Sequence, residues 1–285
     1  MFISHMSKYL THISDTARWV AVLRGQESAR RDRLFNDHLA FKIAGIEGAA
    51  IAGMMKLRGK MPAWPIVMRT VVLDEHVLRA VKEGVDMVID LAAGLDARPY
   101  RLDLPANLTW VDVDLPDITA YKNSALTSER PKCKVERIVV DLADVVARRK
   151  LFAELGARTK KALIITEGLL VYLTEEQVRG LAQDLAAVPT FKLWTLEMVN
   201  ANLLARLQKT VGRRLREAGM PMQWGSNEGP GYFEKLGWRL VEARSMAREA
   251  GKYRRLPWYW QIFHYLPEAK PPWKQPWAGV CLFER

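Results

Sequence analysis

Small and acidic residues recur in this sequence at the points where short apolar runs end. The run Met87 to Leu91 leads into a turn that contains Ala92, Ala93 and Gly94. Such a turn lets the backbone approach a ligand closely, and the helix that follows can present its N-terminus to an anion. A dinucleotide fingerprint has glycine at the position of Ala92, and tight turns of small residues also form for packing alone. This segment therefore leaves a nucleotide-type cofactor and a purely structural turn both open.

Asp114 gives the first indication of what such a ligand contains. A second apolar run, Leu108 to Val113, ends at Asp114, which lies twenty residues beyond Gly94. At this spacing, an acidic side chain at the end of a second parallel strand meets the two hydroxyls of a ribose. The alternative is an aspartate that only caps the next helix ahead of Pro116. Because nicotinamide cofactors and S-adenosylmethionine both carry an adenosine ribose, Asp114 does not distinguish between them.

The elements that position these residues follow a strand and helix alternation. Further apolar runs, Ile138 to Val140, Ala162 to Thr166 and Phe191 to Val199, predict strands three to five. Thr174 and Gln177 form a predicted capping box that starts a helix ending near Val188. Parallel strands with right-handed crossovers wind into a doubly wound sheet whose ligand crevice lies at the carboxyl ends of the strands. The acidic strand ends should therefore line one edge.

Two further runs complete the predicted fold class. Trp238 to Met246 and Val280 to Phe283 are expected to pair antiparallel at the sheet edge. The prediction is an α/β fold with a doubly wound, mostly parallel, seven-stranded Rossmann-like sheet, an antiparallel edge strand and helical lid elements. We expect one domain over residues 1–285, since a chain of this length buries one sizeable core. It divides into an N-terminal helical cap (1–85), a cofactor-binding core (86–199), and a lid helix with terminal strands (200–285).

Composition narrows the function classes. The chain has 43 Lys and Arg against 32 Asp and Glu, for a formal charge of +11, which attracts anions. Its basic residues occur in scattered groups without interleaved aromatics, a pattern that argues against a nucleic-acid surface. The two cysteines have no metal-ligand spacing, and no metal site is predicted. No apolar stretch is long enough for a membrane span, and we expect a cytoplasmic protein.

Several segments in order resemble the leucine carboxyl methyltransferase family, a branch of the class I methyltransferases that includes bacterial small-molecule O-methyltransferases. The resemblance covers most of the chain. The segment VIDLAAGLDARPYRL, which starts at Val88, looks like the family's strand-one motif. The other matching residues are Thr16, Ala17, Arg24, Leu34 to Asp37, Arg69, Thr70, Asp74, Val111 to Pro116, Lys122 and Thr166 to Leu173. The chain departs from the family at Ala92, where many members have glycine, and at Asp112, where many have glutamate.

The resemblance implies that S-adenosylmethionine is the cofactor. Arg69 is similar to the family arginine that binds the methionine carboxylate, a task suited to a planar guanidinium. Glu167, at the end of the fourth strand, would hold the ammonium group and lie near the sulfonium. Gly94 would present main-chain groups to the amino-acid part, and Arg24 would add a second charge. For Arg69 the alternative is a surface ion pair.

The same resemblance places the adenosine part. Asp114 would bind the ribose hydroxyls. Asp141 and Leu142, after the third strand, would border the adenine, the first by hydrogen bonding and the second by apolar contact. Asp141 has the alternative role of a helix cap.

The implied reaction is transfer of the methyl group to an oxygen, for which we expect a carboxylic acid or hydroxyl compound of small size as the partner. An ionised carboxylate needs no base, so catalysis is mainly alignment in a dry pocket. A phenol or alcohol would need a general base, and His264 is the candidate, although packing in an aromatic cluster is its alternative. Tyr172 and Trp258 are candidates for the acceptor pocket. The aromatic cluster from Trp258 to Tyr265, with Trp273 and Trp277 nearby, is otherwise expected to pack the terminal strands onto the core.

One alternative acceptor and two other classes of protein stay open at this stage. A protein C-terminal carboxylate is an alternative acceptor for the same chemistry. A nicotinamide-dependent oxidoreductase would use a similar sheet, but Arg69 and Glu167 have no ready role in it. A basic nucleic-acid-binding protein is the third hypothesis, and its affinity would fall steeply with salt.

Overall fold

A computed structural model describes residues 13–57, 62–210, 212, 216, 219, 221–265 and 275–285 of the chain. Seven strands form one sheet. They are β1 (Met87–Leu91), β2 (Thr109–Asp114), β3 (Lys134–Val139), β4 (Ala162–Thr166), β5 (Phe191–Val199), β6 (Arg239–Ser245) and β7 (Ala278–Glu284). Their order across the sheet is β3-β2-β1-β4-β5-β7-β6. The predicted fold class is confirmed.

The sheet is parallel from β3 to β5, and β7 runs antiparallel to both of its neighbours, β5 and β6. The antiparallel strand therefore lies one position in from the edge, and β6 forms the edge itself. The predicted pairing of the two last strands is confirmed. The strand order reverses direction between β1 and β4, which is the topological switch point where open α/β sheets bind ligands.

Helices cover both faces of the sheet. They are α1 (Ile13–Ser28), α2 (Ala40–Leu57), α3 (Trp64–Lys82), α4 (Arg98–Arg101), α5 (Pro116–Ala125), α6 (Val145–Ala157), α7 (Glu175–Ala186), α8 (Ala201–Thr210), α9 (Gly231–Glu234) and α10 (Met246–Lys252). A single 3₁₀ turn occurs at Leu170–Tyr172, and a longer 3₁₀ segment occurs at Trp258–Tyr265. The predicted capping box is present, since Gln177 N–H donates to Thr174 Oγ1 over 3.2 Å and Thr174 N–H donates to Gln177 Oε1 over 2.8 Å.

The two faces of the central strands bury different partners, because successive side chains of a strand point to opposite sides. Ile89 of β1 packs in the cluster that contains α6 and α7, whereas Val88 packs in the cluster that contains α3 and α10. All five residues of β1 and all five of β4 are buried. Buried parallel strands of this kind hold the loops at their carboxyl ends in fixed positions.

Helix α3 carries charged residues into this core. Its buried side includes Arg69 and Asp74 among apolar neighbours such as Val72 and Val77. Buried charges of this kind are retained only when they are paired or bind a ligand. In this protein both side chains are paired, Arg69 with Glu167 and Glu197 and Asp74 with Arg98 and Arg101.

The aromatic residues near the end of the chain differ from expectation. Trp277 is buried in the core, as predicted. Trp258, Tyr259 and Trp260 are instead exposed, with 85%, 58% and 49% of their surface accessible. The prediction that this aromatic segment packs against the core is wrong for these three, because their 3₁₀ segment contacts α10 and leaves these side chains accessible to solvent. None of the helices formed by the described residues combines the length and apolar character needed to cross a membrane.

Candidate cofactor site

The sheet order places the predicted residues in a row along one edge. The parallel strands β3, β2, β1, β4 and β5 all end at this edge. Reading across it, Asp141 follows β3, Asp114 ends β2, Gly94 follows β1, and Glu167 follows β4. The row spans three strand spacings, or about 14 Å at roughly 4.8 Å each. The residues expected to meet adenine, ribose and the amino-acid group thus occur in that order.

The turn after β1 has an unusual backbone. Ala92 has a φ of 57° and Gly94 a φ of 48°, both in the left-handed region that glycine tolerates and alanine does not favour. The N–H of Ala92 donates to the carbonyl of Val113 over 2.9 Å, which ties the turn to β2. A Cβ at Gly94 would lie 3.5 Å from that of Ala17. The family's preference for glycine at position 92 has its physical reason in this conformation.

Asp114 is bound directly to the turn. The N–H of Gly94 donates to its Oδ2 over 2.6 Å, and the N–H of Leu115 donates to its Oδ1 over 2.8 Å. Burial raises the pKa of Asp114, while the two N–H donors act in the opposite direction. Each carboxylate oxygen accepts one hydrogen bond and keeps a lone pair for another donor. Asp114 is therefore able to accept hydroxyl donors while it holds the turn.

Arg69 has more N–H donors than it has hydrogen-bond acceptors among the described residues. Its side chain is 9% exposed, and its Nη1 donates a short hydrogen bond to Oε2 of Glu197 on β5. Its Nε lies 2.8 Å from Oε1 of Glu167, at an angle that does not suit a hydrogen bond. No hydrogen bond runs from Nη2 to any described residue. A guanidinium has five N–H donors, so a buried arginine with one hydrogen bond can take a further anion.

Glu167 is held between two guanidinium groups. Besides the contact with Arg69, its Oε2 accepts from Nη1 of Arg98 over 2.8 Å. Burial acts to raise the pKa of Glu167, but Arg69 and Arg98 outweigh it and lower that pKa. Glu167 is thus a carboxylate that stays ionised near neutral pH, as a partner for an ammonium group must be.

Arg98 and its neighbours form the base of the site. Nε of Arg98 donates to Oδ1 of Asp74 over 2.7 Å, and Nη1 donates to Oδ2 of Asp96 over 2.5 Å. Arg101 donates to both carboxylate oxygens of Asp74 over 2.6 and 2.7 Å. All four groups are at most 10% exposed at their side chains. The segments that resembled one family in sequence meet here as one buried set of ion pairs.

Arg24 is part of the support and reaches the turn from α1. Its Nε donates to Oδ2 of Asp37 over 2.8 Å, and its Nη2 donates to the carbonyl of Leu95 over 2.6 Å. These contacts connect α1 to the loop after β1. The structure therefore places Arg24 at this loop, and direct contact with a cofactor stays a prediction.

Asp141 and Leu142 lie after β3, at the far end of the row. Asp141 is exposed, and its Oδ1 accepts from the N–H of Ala143 over 2.9 Å. Helix α6 is capped by Asp144, not by Asp141. Leu142 lines a small and mainly apolar recess together with Leu169, Leu173 and Leu181. Asp141 therefore stabilises its own loop and still presents a carboxylate at the surface.

The three acceptor candidates have different positions. Tyr172 is half-buried in the 3₁₀ turn after β4, and burial together with Glu197 raises the pKa of its hydroxyl. It thus lies on the same side of the site as Glu197. Trp258 is exposed, and its ring contact is with Tyr259 at 5.8 Å between centroids. The side chain of His264 lies outside the described residues, so its predicted role as a base stays a prediction.

Glu197 is the site residue that sequence reasoning missed. Strand β5 has the sequence FKLWTLEMV, in which Glu197 is the one acidic residue among mostly buried positions. A carboxylate in a buried strand needs a partner or a ligand, and this was the available signal. Asp90, in the middle of the fully buried β1, carried the same signal, and burial raises its pKa well above the usual range.

Comparisons with known proteins agree with this geometry. The sequence profile of the leucine carboxyl methyltransferase family matches residues 17–186. A protein of Frankia alni named as an S-adenosyl-L-methionine-dependent methyltransferase is 32% identical over 249 residues, which cover 83% of this chain and 88% of that protein. A similarly named protein of a Parafrankia species is 30% identical and covers 86% of this chain and 83% of its own length.

Two solved structures share the fold. A protein from Thermobifida fusca, named as a methyltransferase, aligns with a TM-score of 0.57 at 18% identity and covers 96% of both chains. A protein of a family of unknown function from Streptomyces avermitilis aligns with a TM-score of 0.56 at 14% identity, over 92% of this chain and 95% of that one. The relatives give no support to the nicotinamide-dependent alternative. The chain therefore belongs to the leucine carboxyl methyltransferase family and is a methyltransferase, as its motifs predicted.

Proposed function

We propose that this methyltransferase, which uses S-adenosylmethionine, transfers the methyl group to an oxygen of a small molecule, and that the oxygen belongs to a carboxylate. The cofactor pose is supported chiefly by Arg69, a buried guanidinium that makes one hydrogen bond to the described residues, to Glu197, and one ion pair without a hydrogen bond, to Glu167. A carboxylate ligand beside Arg69 and an ammonium beside Glu167 match the amino-acid group of S-adenosylmethionine in charge and in position along the sheet edge.

The remaining cofactor contacts follow from the same row. The lone pairs of Asp114 suit the hydroxyls of a ribose. The recess beside Leu142 suits an apolar ring face, and Asp141 offers an acceptor at its border. The N–H of Gly94 already donates to Asp114, so Gly94 would meet the amino-acid part through its carbonyl, with no side chain in the way. Arg24 supports this turn through the carbonyl of Leu95.

Methyl transfer to a carboxylate requires the protein mainly to align the acceptor oxygen with the methyl group. When bound, S-adenosylmethionine supplies a methyl group on a positively charged sulfur. An acceptor carboxylate is already ionised at neutral pH and needs no proton removed, so the chain's task is to orient the oxygen and exclude water. The new bond joins oxygen to the methyl carbon, and the electron pair of the old bond stays on sulfur. The products are a methyl ester and S-adenosylhomocysteine.

The positive net charge of the protein supports a carboxylate as the methyl acceptor. A formal charge of +11 attracts anionic molecules to the surface and raises their local concentration. Tyr172 would contact the acceptor, since it is half-buried in the 3₁₀ turn after β4 and lies close enough to Glu197 and Arg69 to feel their charges. A phenol or alcohol would instead need a base, for which His264 is the candidate. A protein C-terminal carboxylate would use the same chemistry as a small acid.

The first test is calorimetric titration with S-adenosylmethionine, S-adenosylhomocysteine and NAD. The two sulfur ligands should bind and NAD should not. Arg69→Gln should weaken both sulfur ligands by about tenfold or more, because a charged hydrogen bond contributes roughly 1.5–3 kcal/mol. Arg79→Gln, on the same helix with its side chain 42% exposed, is the matched control and should leave affinity unchanged.

The second test identifies the acceptor atom. The enzyme is incubated with methyl-labelled S-adenosylmethionine and separate pools of carboxylic acids, phenols, and peptides with free or amidated C-termini. Methyl esters release labelled methanol in mild alkali, whereas methyl ethers do not. Alkali-labile label on small acids supports the proposal. Alkali-stable label on phenols, or label confined to peptides with a free C-terminus, would overturn it.

A further inference from the structure

Arg69 is held in this structure by two carboxylates of its own chain, and they are anchored differently. Glu167 has a second cation, since Arg98 donates to it over 2.8 Å and is itself fixed by Asp74 and Asp96. Glu197 has no such support, because Arg69 is its one ion-pair partner among the described residues. Glu197 is therefore the partner of Arg69 that is free to move.

The position of Glu197 on the guanidinium matters for ligand binding. A carboxylate bound in the bidentate manner uses two neighbouring N–H groups of one guanidinium edge. Nη2 of Arg69 makes no hydrogen bond to the described residues, but Nη1 is occupied by Glu197, and Nε faces Glu167. Each bidentate edge combines Nη2 with either Nη1, which Glu197 contacts, or Nε, which lies beside Glu167. A carboxylate that uses both donors of an edge therefore competes with one of these side chains, and Glu167 is the one held by a second cation.

We propose that Glu197 is a specificity-determining residue that occupies the carboxylate-binding edge of Arg69 and must be displaced by the carboxylate of the incoming ligand. This inference rests on the proposed function, because it assumes that Arg69 binds the amino-acid group. Competition of this kind weakens the binding of the ligand. The apparent dissociation constant equals the intrinsic one divided by the fraction of protein molecules in which this edge of Arg69 is free. A ligand that lacks the carboxylate does not compete with Glu197 and is not affected by it.

The test compares two neutral or net-neutral ligands, S-adenosylhomocysteine and 5′-methylthioadenosine. The second keeps adenosine and sulfur but lacks the amino-acid group. Neither ligand carries the sulfonium charge, and both have no net charge. Removing the negative charge of Glu197 therefore does not change a net attraction between the protein and either ligand. Calorimetry on Glu197→Gln should give an affinity for S-adenosylhomocysteine raised about fivefold or more, the lower end of typical couplings between sites. Affinity for 5′-methylthioadenosine should stay at the wild-type value.

Glu249→Gln is the matched control. Its side chain is 13% exposed, against 19% for Glu197, and it forms a 2.6 Å pair with Arg244 of β6, which is two strands beyond β5. This variant makes the same charge change and should leave both affinities unchanged. Glu197→Asp, which keeps the charge but shortens the side chain, should also tighten S-adenosylhomocysteine, by less than Glu197→Gln.

Each result has a separate meaning. Unchanged or weaker binding of S-adenosylhomocysteine by Glu197→Gln, with 5′-methylthioadenosine still bound normally, would overturn the role of Glu197 and leave the cofactor assignment intact. An equal gain for both ligands would also overturn it, because the effect would then not pass through the carboxylate. Wild-type protein that binds neither ligand would instead remove the proposed function itself.

Discussion

The backbone N–H of Gly94 donates a 2.6 Å hydrogen bond to Oδ2 of Asp114, and this contact joins the turn after β1 to the end of β2. The two residues come from neighbouring parallel strands, so the bond fixes the turn against the sheet edge. It also orients the carboxylate, whose other oxygen accepts from Leu115 over 2.8 Å. The group proposed to bind ribose is therefore positioned before any ligand arrives.

Asp114→Asn should weaken S-adenosylhomocysteine by roughly 10- to 100-fold, because hydrogen bonds to a charged group contribute about 1.5–3 kcal/mol. The asparagine oxygen can still accept from Gly94, so the turn should persist. Calorimetry measures the affinity. Asp117→Asn, an exposed change at the second residue of α5, is the control and should have no effect. Equal affinities for wild type and Asp114→Asn would remove Asp114 from the site.

The same residue predicts a pH dependence. Burial raises the pKa of Asp114 in the free protein, whereas ribose hydroxyls would favour its ionised form and lower that pKa. Binding then releases a proton, so affinity should fall as pH drops through the raised pKa. Titrations between pH 7 and pH 4 check this. The Asp114→Asn variant should lose this part of the dependence, and an unchanged profile would contradict the prediction.

Ala92→Gly should stabilise the protein. Ala92 has a φ of 57°, and the left-handed region costs a residue with a Cβ about 1–2 kcal/mol. Glycine loses more backbone entropy on folding, about 0.5–1 kcal/mol, so the net gain should be roughly 0.5–1 kcal/mol. Urea denaturation measures it. Ala93→Gly, at a neighbouring position without a positive φ, should destabilise, and a loss of stability in Ala92→Gly would contradict the argument.

The strands were predictable where they are buried on both faces. The predicted bounds of β1, β4 and β5 match the structure because these runs are mostly apolar, and β1 and β4 also end next to small or acidic residues. Strand β3 begins at Lys134, four residues before the predicted start at Ile138. It is an edge strand, and its partly exposed residues Lys134 and Glu136 break the apolar pattern.

The site residues that lie in local sequence motifs could be predicted, whereas contacts between residues far apart in the sequence could not. Gly94, Asp114, Arg69 and Glu167 all lie at one sheet edge, as the motifs implied. Glu197 pairs with Arg69 across 128 positions of sequence, a contact that no local pattern encodes. The exposure of Trp258, Tyr259 and Trp260 was likewise not predictable from their residue types, since large aromatic side chains are usually buried.

Asp74→Asn should destabilise the fold strongly. Asp74 compensates both Arg98 and Arg101 at side chains that are at most 10% exposed. Removing one partner of a buried ion pair leaves an uncompensated charge and typically costs about 3–5 kcal/mol. Glu47→Gln, which removes the 60% exposed partner of Arg18, is the control and should cost less than about 1 kcal/mol. Similar midpoints for the two variants in urea would show that Asp74 is not a structural centre.

His76 should make the folded protein sensitive to mild acid. It is 1% exposed, with Nδ1 2.8 Å from Oγ1 of Thr195, and Glu242, Arg79 and Arg244 are the charged groups around it. Burial lowers its pKa, although Glu242 acts in the opposite direction. As pH falls below about 6.5, the unfolded chain binds a proton at this histidine and the folded chain does not. The free energy of unfolding should therefore decrease.

Urea denaturation at pH 7, 6 and 5 tests this effect, when the change in unfolding free energy with pH is compared between wild type and variants. One such histidine contributes a slope of at most about 1.4 kcal/mol per pH unit. His76→Gln should remove that part of the slope while other groups still titrate, and His38→Gln, at an exposed position, should keep the wild-type slope. If His76→Gln and wild type lose stability in parallel, then His76 takes up its proton equally well in the folded state, and the polar groups around it stabilise the imidazolium enough to cancel its burial.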